Sequence, residues 1–420
     1  MIKSISKYLL MGGIALIYTG CNFEQEDLFP ESAAQRLENA KKETKELLVS
    51  APNGWVMQYF PKDTKKGYTM LMKFENSGLA TIAGKNSFTL NKYSTDDSMY
   101  EMIADHGPVL TFNTYNEILH AFSNPQNPTG LGQEGDYEFV IMEKDPSEIK
   151  LQGKKRETDI RLLRLGDDVN WENYFTQIDA MNTNIFGGVD NALQYIAGDQ
   201  IALASGGLNG IFVITEDGQL SGDATNMPII ITPTGLKLYE PFTFNGKTAQ
   251  HFTLNAEKTR LIADEDASVY ISGPALSNYI SSSKAMWKFV DMGSAAQTAL
   301  DAMAAGFNAQ YGGKRDLDYI AFNSTAAYAH SFAVKVMSTA LTNFKMDMTA
   351  NGDDEIIISF PETIDTDSNG NRFYKEVPQL GEFMNALAGT YKVSTEQPFI
   401  VSQIKYVKTD DSNFYFTVNQ

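Results

Sequence analysis

A change from helical to two-residue periodicity at Trp55 sets the strongest limit on how this chain folds. Before it, Ser32 and Gln35 form a capping-box pattern, and apolar residues at helical spacing follow until Ala51-Pro52-Asn53-Gly54. After it, apolar residues alternate with other residues in short runs separated by turns, which is typical of half-buried β-strands. One helix followed by eight or nine such runs predicts an antiparallel barrel or curved sheet. The predicted strands are 55–59, 68–74, 79–83, 88–90, 99–103, 109–112, 137–142, 148–151 and 159–165.

The rest of the chain continues the β-rich pattern with a few helices. A stripe of aromatic and aliphatic residues predicts a helix over 168–185, either as core packing between two β domains or as a ligand platform. We place a domain boundary near residue 190, so residues 32–190 form an N-terminal helix plus antiparallel β domain and residues 191–420 a C-terminal α+β domain. The predicted fold class is therefore α+β with β dominant. Further strands are expected at 210–215, 228–232, 236–239, 251–254, 331–336, 343–348, 355–360, 399–407 and 414–418, with helices from 294 to about 312 and over 380–387.

The first 21 residues have the pattern of a secretory signal. Lys3 and Lys7 precede an apolar run over 8–19, which is too short to span a bilayer but typical of a signal peptide. The run ends at Thr19-Gly20-Cys21, which resembles a bacterial lipobox. This resemblance implies that residues 1–20 are a signal peptide and that Cys21, the only cysteine, is acylated and anchors the chain in outer-membrane lipid.

An acidic stretch follows the proposed lipid anchor, and we interpret residues 21–31 as an acidic tether. The stretch over 22–27 resembles the export signal of surface lipoproteins in Bacteroidota, which implies an outer-membrane lipoprotein facing the cell exterior. A solvated linker is the alternative. The formal charge of −18 disfavours nucleic-acid binding, because phosphate backbones repel a polyanion.

Two glycine-rich strings imitate nucleotide-binding motifs. Gly130–Gly135 matches GxGxxG, but a predicted strand follows it where a helix is required, so it is predicted to be a loop. Asn245–Thr248 ends like a P-loop, but Pro241 stands where the first glycine belongs, and a turn is predicted. These strings therefore predict no nucleotide cofactor.

Catalytic motifs are also missing from the sequence. It contains no HExxH or GxSxG, and no local zinc-pair spacing occurs among His106, His120, His251 and His330. We therefore predict no catalytic residues. A carboxylate pair for hydrolysis stays open, because the separation of two acids is set by the fold.

One acidic string fits the spacing of a calcium loop. Asp365, Asp367, Asn369, Asn371 and Glu376 occupy the ligand positions of D-x-[DN]-x-[DN]-G-x₅-E, and Ca²⁺ prefers such oxygen ligands. Calcium is therefore the one predicted candidate cofactor. A polar turn is the alternative, since the same residue types favour turns.

Several local strings resemble a family of Bacteroidota surface lipoproteins that carry a domain of unknown function. They are Ala51–Trp55 with Tyr59, Gly107–Phe112, Tyr115–His120, Gly135–Val140 and Gly153–Arg156. The resemblance implies association with SusC/SusD-type importers, and it supplies no catalytic residues. The basic string Lys154–Arg156 is interpreted as a hairpin turn or as a contact for an anionic partner.

These observations together favour a non-catalytic binding or accessory lipoprotein for nutrient capture and import, with a glycan or a peptide as the nutrient. The alternatives are a surface hydrolase that uses a carboxylate pair and a structural or adhesive surface protein.

Overall fold

The described residues of the computed structural model form three antiparallel sheets of eight strands each, and each sheet curls until its first strand pairs with its last. The structure describes residues 31–62, 66–105, 107–125, 133–187, 192–206, 211–215, 225–313 and 316–420. Six α-helices lie among these described residues. The predicted β-dominant class with an N-terminal helix is confirmed.

The first barrel follows the N-terminal helix, and its inward side chains form one hydrophobic core. Trp55, Met57 and Tyr59 point into this core, and the Trp55 Nε1 donates to the Leu48 carbonyl at 2.9 Å. This bond ties the end of the helix to the barrel. The elements are α1 (Ala33–Val49), β1 (Trp55–Tyr59), β2 (Tyr68–Phe74), β3 (Leu79–Gly84), β4 (Ser94–Ala104), β5 (Pro108–Phe112), β6 (Glu138–Lys144), β7 (Glu148–Gly153) and β8 (Asp159–Arg164).

The predicted strand over 88–90 is wrong. Residues Ser87–Thr89 form a single 3₁₀ turn, because the Asn86 side chain accepts from the backbone of Phe88 and Thr89 while the Thr89 hydroxyl bonds back to Asn86. Leu90 then adopts a left-handed conformation with φ of 53°. A reciprocal cap satisfies the backbone locally and leaves no extended strand.

Helix α2 (Trp171–Phe186) connects the first two barrels. Phe175 packs against the outer face of the first barrel, whereas Met181 and Ile185 belong to the core of the second. The helix is therefore core packing between β domains. The second barrel consists of β9 (Ala192–Ala197), β10 (Gln200–Gly206), β11 (Ile211–Thr215), β12 (Thr225–Thr232), β13 (Gly235–Phe244), β14 (Lys247–Leu254), β15 (Arg260–Ala263) and β16 (Val269–Ser272).

The third barrel follows a short helix and carries three more helices. The segment 191–420, assigned to one domain from the sequence, thus contains two barrels. In the third barrel, the shortest strand pairing is that of β17 with β18, which has Trp287↔Phe322 and Lys288↔Ala321 as partners. The elements are α3 (Leu276–Ser282), β17 (Trp287–Met292), α4 (Ser294–Tyr311), β18 (Leu317–Phe322), β19 (His330–Val336), β20 (Ala340–Ala350), β21 (Glu355–Ser359), α5 (Ser368–Glu376), α6 (Pro378–Leu387), β22 (Gly389–Ser394), β23 (Gln403–Lys408) and β24 (Tyr415–Asn419).

The predicted strand over 399–407 is too long at its start, since β23 begins at Gln403. Phe399 instead leaves the third barrel and joins the hydrophobic core of the second. Gly273, just after β16, lies against the same loop, and a Cβ at this glycine would stand 1.7 Å from the Pro398 carbonyl oxygen. The second and third barrels are therefore joined by a close backbone contact as well as by a shared aromatic side chain.

Candidate functional site

Some predicted sites lie outside the described residues. Cys21, the proposed lipidation site, is among them, and so are His106 and the first three residues of the GxGxxG string. Within the described part of the chain, no helix combines the length and hydrophobicity needed to cross a bilayer. Asn245 and Gly246 form the turn between β13 and β14 with positive φ angles of 49° and 70°, as predicted for that string.

The predicted calcium residues fold mainly as a helix. Asp367 is the N-cap of α5, and its carboxylate accepts from the Gly370 N–H at 2.8 Å and the Thr342 hydroxyl at 2.9 Å. Asp365 accepts from the Tyr328 hydroxyl at 3.2 Å. Both carboxylates are therefore committed to protein donors.

The remaining three predicted ligands, Asn369, Asn371 and Glu376, lie along α5, and Glu376 is the last residue of this helix. Glu376 bonds the Tyr311 hydroxyl at 2.5 Å, and the Asn369 amide oxygen accepts from Arg372 at 3.1 Å, while Asn371 lies within the helix. A helix rises about 1.5 Å per residue, so its two ends are held apart. Among the described residues, no three His, Cys, Asp or Glu side chains gather around a point that could hold a metal ion.

The described histidines do not converge. His251 contacts Glu265 at 2.8 Å on the second barrel, and His330 bonds the Ser281 carbonyl at 2.9 Å on the third. His120 lies on the first barrel, beside the exposed aromatic and polar groups described below.

Four of the distinctive sequence strings meet at one rim of the first barrel. Phe112 at the end of β5, Tyr115 and His120 in the following loop, residues 135–138 at the start of β6, and Lys155 with Arg156 in the β7–β8 turn line a cleft of about 520 Å³. We call it the rim cleft. Neighbouring strands of a closed barrel bring their connecting segments to a common end, which is why these separated strings converge.

An imidazole held between two tyrosines forms one side of the rim cleft. The His120 ring stacks on Tyr137 with centroids 4.7 Å apart, and Tyr115 lies on it at 5.4 Å. His120 is buried, and desolvation lowers its pKa, so the ring is neutral at pH 7. Tyr115 and Tyr137 remain 58% and 41% exposed, and the Asn124 amide bonds the Tyr115 hydroxyl at 2.6 Å. The tyrosines are thus positioned but accessible.

The acidic groups of the rim cleft are bonded to neighbouring donors. The two Asp136 oxygens accept from the backbone N–H groups of Arg156 at 2.8 Å and Lys155 at 3.3 Å. Burial raises the Asp136 pKa, and these bonds oppose the rise. Glu134 pairs with Arg156 at 3.1 Å, and Glu138 lies 3.6 Å from Lys154. This arrangement favours holding a polar ligand over transferring protons, because each acid already has a partner.

The predicted basic hairpin turn at Lys154–Arg156 is confirmed between β7 and β8. Two of its cations are paired with acids, since Lys154 also contacts Asp105 at 2.9 Å. Lys155 is exposed and lines the rim cleft. The turn therefore contributes one cation that can reach a ligand.

A second cleft, of about 460 Å³, lies between the first and second barrels and also includes Arg156. Phe60 and Tyr239 face each other there with centroids 4.8 Å apart, and the Tyr239 hydroxyl accepts from the Asp159 N–H at 3.1 Å. The rest of its apolar lining consists of Pro61, Met227, Pro228, Pro241 and Phe242. Because Arg156 lines both clefts, this inter-barrel cleft adjoins the rim cleft.

A buried lysine fastens the same two barrels together. The Lys237 ammonium on β13 donates to the Gln58 side-chain oxygen on β1 at 2.8 Å, and Lys237 is only 5% exposed. Desolvation, with a smaller contribution from Arg161, lowers its pKa to about 8, and Glu148 and Asp159 act in the opposite direction. The cation therefore stays in the interface at a free-energy cost.

The strings of the rim cleft stand out in the sequence only through their family resemblance, and Lys154–Arg156 is interpreted there as a hairpin turn or a contact for an anionic partner. The sequence does not show that these strings lie at the same rim, because their shared position depends on closure of the barrel. The spacing of Tyr115, His120 and Tyr137 carries no recognisable motif. An exposed aromatic pair around a histidine could be suspected only once β5 and β6 were known to pair.

Comparison with solved structures returns distant matches. The DNA polymerase III beta chain of Streptococcus pneumoniae has 9% identity over 91% of this chain and 97% of that chain, with a TM-score of 0.14. The Caulobacter crescentus pol III beta has 10% identity over the same shares, with a TM-score of 0.13. Such low scores support no inference about fold or function.

A search of curated proteins finds no match. A family model described as "Domain of unknown function (DUF4302)" matches residues 25–256, which include the whole first barrel and the second as far as β14. The match covers more than half of the chain. The chain therefore belongs to the DUF4302 family.

Proposed function

We propose that this protein is a cell-surface lipoprotein that binds a glycan or peptide nutrient without transforming it and presents it to an outer-membrane importer of the SusC/SusD type. The observation that carries this proposal is the rim cleft, in which two exposed tyrosines flank a neutral histidine. Aromatic faces stack on the apolar faces of sugar rings and on peptide side chains. Amide and charged groups around them supply hydrogen bonds that orient a polar ligand.

The lipid anchor and the export signal in the sequence support the surface location. Acylation at Cys21 would hold the protein in the membrane, since each buried methylene contributes about 0.8 kcal/mol and several chains act together. Protease treatment of intact cells should remove the protein while a periplasmic control survives. Full protection of the protein would contradict the outward orientation, and an unchanged membrane fraction for Cys21→Ala would contradict the anchor.

Binding is tested by screening the purified protein against glycans and peptides while measuring both retention and turnover. We expect retention without turnover. Tyr137→Ala and Tyr115→Ala should each weaken binding about tenfold, which corresponds to about 1.4 kcal/mol. Met142→Ala is the matched control. Met142 is 55% exposed and lies on β6, the strand whose start lines the rim cleft, but Met142 itself does not line the cleft.

The screen also separates the alternatives. Turnover of a ligand would support the hydrolase, and the absence of any retained glycan or peptide would favour a structural or adhesive role. Equal binding by the wild type and both tyrosine variants would remove the rim cleft from the proposal.

A further inference from the structure

The ladder between β12 and β13 stops before either strand ends. The register of these two strands contains four pairs, and the last of them is Ile229↔Leu238. Beyond this pair, β12 reaches back to Thr225 and β13 runs on to Phe244, but this part of the described chain contains no pair between the two strands. The strands therefore part after Ile229↔Leu238, and each has an edge that the other does not pair.

Two prolines explain why the ladder ends there. Pro228 follows the last pair on β12, Pro241 lies further along β13, and neither residue has an N–H to donate to a ladder. The register of β13 with β14 also shifts around Pro241. At this shift, the Gln250 side-chain amide donates to the Leu238 and Tyr239 carbonyls at 3.1 and 2.9 Å. The sequence therefore builds in the separation of the two strands, and a side chain from β14 supports it.

The inter-barrel cleft lies at this separation. Met227 and Pro228 of β12 line it together with residues 239–242 of β13, and its volume of about 460 Å³ is ordinary for a ligand site at a domain interface. At the last ladder pair, the Gly67 N–H of the first barrel donates to the Ile229 carbonyl at 3.0 Å. The backbone at the end of this ladder therefore already takes a hydrogen bond from outside its own barrel.

The chemistry of the inter-barrel cleft suits a peptide better than a glycan. An extended peptide supplies backbone donors and acceptors at the spacing of a strand edge, which a glycan does not. Its side chains alternate in direction, so every second one can lie against an aromatic and proline lining. The charged lining residues are Lys62, Arg156, Glu157 and Glu240, whose formal charges cancel although the protein carries −18. An uncharged ligand matches this balance.

We propose that the inter-barrel cleft binds an uncharged, extended peptide segment. The segment pairs with the strand edge left open where β12 and β13 part, and it places an apolar side chain among the aromatic and proline residues of the lining. This is strand addition at a separation within a barrel. It does not rest on the function proposed for the rim cleft.

Fluorescence anisotropy with a synthetic peptide tests this proposal on the full purified protein. The probe has the sequence Ser-Val-Phe-Val-Ser, an amidated C-terminus and an uncharged dye on its N-terminus, and we expect saturable binding. Two further probes keep the side chains but remove the backbone donors of one edge each, by N-methylation of both valines or of the phenylalanine and the last serine. At least one of them should bind about tenfold more weakly, because it cannot complete the ladder.

Pro241→Asp places a charge in the apolar lining at an exposed position, and it should weaken binding of the unmethylated probe about tenfold. Pro52→Asp is the matched control, because it makes the same change at an exposed proline in the turn after α1, and it should leave the affinity unchanged. Melting temperatures establish that each variant folds.

Absence of binding, equal affinity for all three probes, or unchanged affinity in Pro241→Asp would each overturn the proposal. Weaker binding in Tyr137→Ala together with unchanged binding in Pro241→Asp would place the peptide in the rim cleft. That result would overturn this inference and support the proposed function. Absence of probe binding overturns this inference alone, because the rim cleft can still hold a glycan.

Discussion

Replacing Lys237 by methionine should change how the stability of the protein depends on pH. Burial lowers the pKa of this lysine from its ordinary 10.5 to about 8, so between these values the unfolded chain binds more protons than the folded one. Stability therefore rises as pH increases through this range, because the cost of burying the cation disappears as the lysine loses its proton. The gap between the two pKa values means that burying the protonated lysine lowers the free energy of unfolding by about 3 kcal/mol at neutral pH. About 2 kcal/mol of it should be regained between pH 7 and 9.5.

Methionine has a similar length and carries no charge, so Lys237→Met removes both the cost and the pH dependence. It also leaves the Gln58 oxygen without its donor, and this loss cancels about 1–2 kcal/mol of the stability gained by removing the buried cation. We expect the variant to be about 1 to 2 kcal/mol more stable than the wild type at pH 7 and to lose this advantage by pH 9.5.

Urea unfolding at intervals from pH 7 to 9.5 provides the measurement. Lys42→Met is the control, because Lys42 is a solvent-exposed lysine whose side chain is 77% exposed. It should follow the wild-type curve. If the Lys237→Met and wild-type curves run parallel, the lysine is not held as a costly buried cation and the reasoning fails.

Three further substitutions test local features of the fold. Asp367→Ala removes the N-cap of α5 and should lower the free energy of unfolding by about 1 kcal/mol, equally in chelator and in millimolar Ca²⁺. The calcium prediction instead requires that Ca²⁺ raise the melting temperature of the wild type and that this variant lose the rise. Tyr59→Phe removes the hydroxyl that accepts a hydrogen bond from the buried Asp136 N–H at 2.7 Å. Urea unfolding should show a loss of about 1–3 kcal/mol in the free energy of unfolding. A change below about 0.5 kcal/mol would show that water or another acceptor replaces the hydroxyl. Gly273→Ala should destabilise the protein by about 1–3 kcal/mol, because its methyl group collides with the backbone of the β22–β23 loop. Gly107→Ala, where a Cβ has open space, should be neutral in the same thermal melts, and similar losses in both variants would contradict the collision.

The elements that were predictable from the sequence are those fixed by local periodicity. Helix α1 begins at a capping Ser32, and the alternation from Trp55 to Tyr59 gives the correct inward face of β1. The 88–90 run was misassigned because three residues contain too little periodicity to outweigh the cap formed by Asn86 and Thr89. The Asn-x-x-Thr spacing was the available signal.

Features that depend on closure could not be read from the sequence. Pairing of β1 with β8, β9 with β16 and β17 with β24 joins segments far apart in the chain. The last two of these pairings divide residues 191–420 into two barrels. The use of the calcium pattern at Asp365–Glu376 could not be read from the sequence for a different reason. Asp, Ser, Asn and Gly serve helix caps as well as cation loops, and the spacing alone does not distinguish the two uses.

The insertion of Phe399 into the second barrel has a consequence for synthesis on the ribosome. Strands β9 to β16 leave the ribosome well before the loop between β22 and β23, because the chain emerges from its N-terminus. The second barrel must therefore wait for most of the third barrel before its core is filled. Until then, the site for Phe399 is a hydrophobic opening that other apolar side chains or a chaperone can enter. Premature termination after β16 would leave that opening permanently unfilled, so truncated chains should be more prone to aggregation than their length alone suggests.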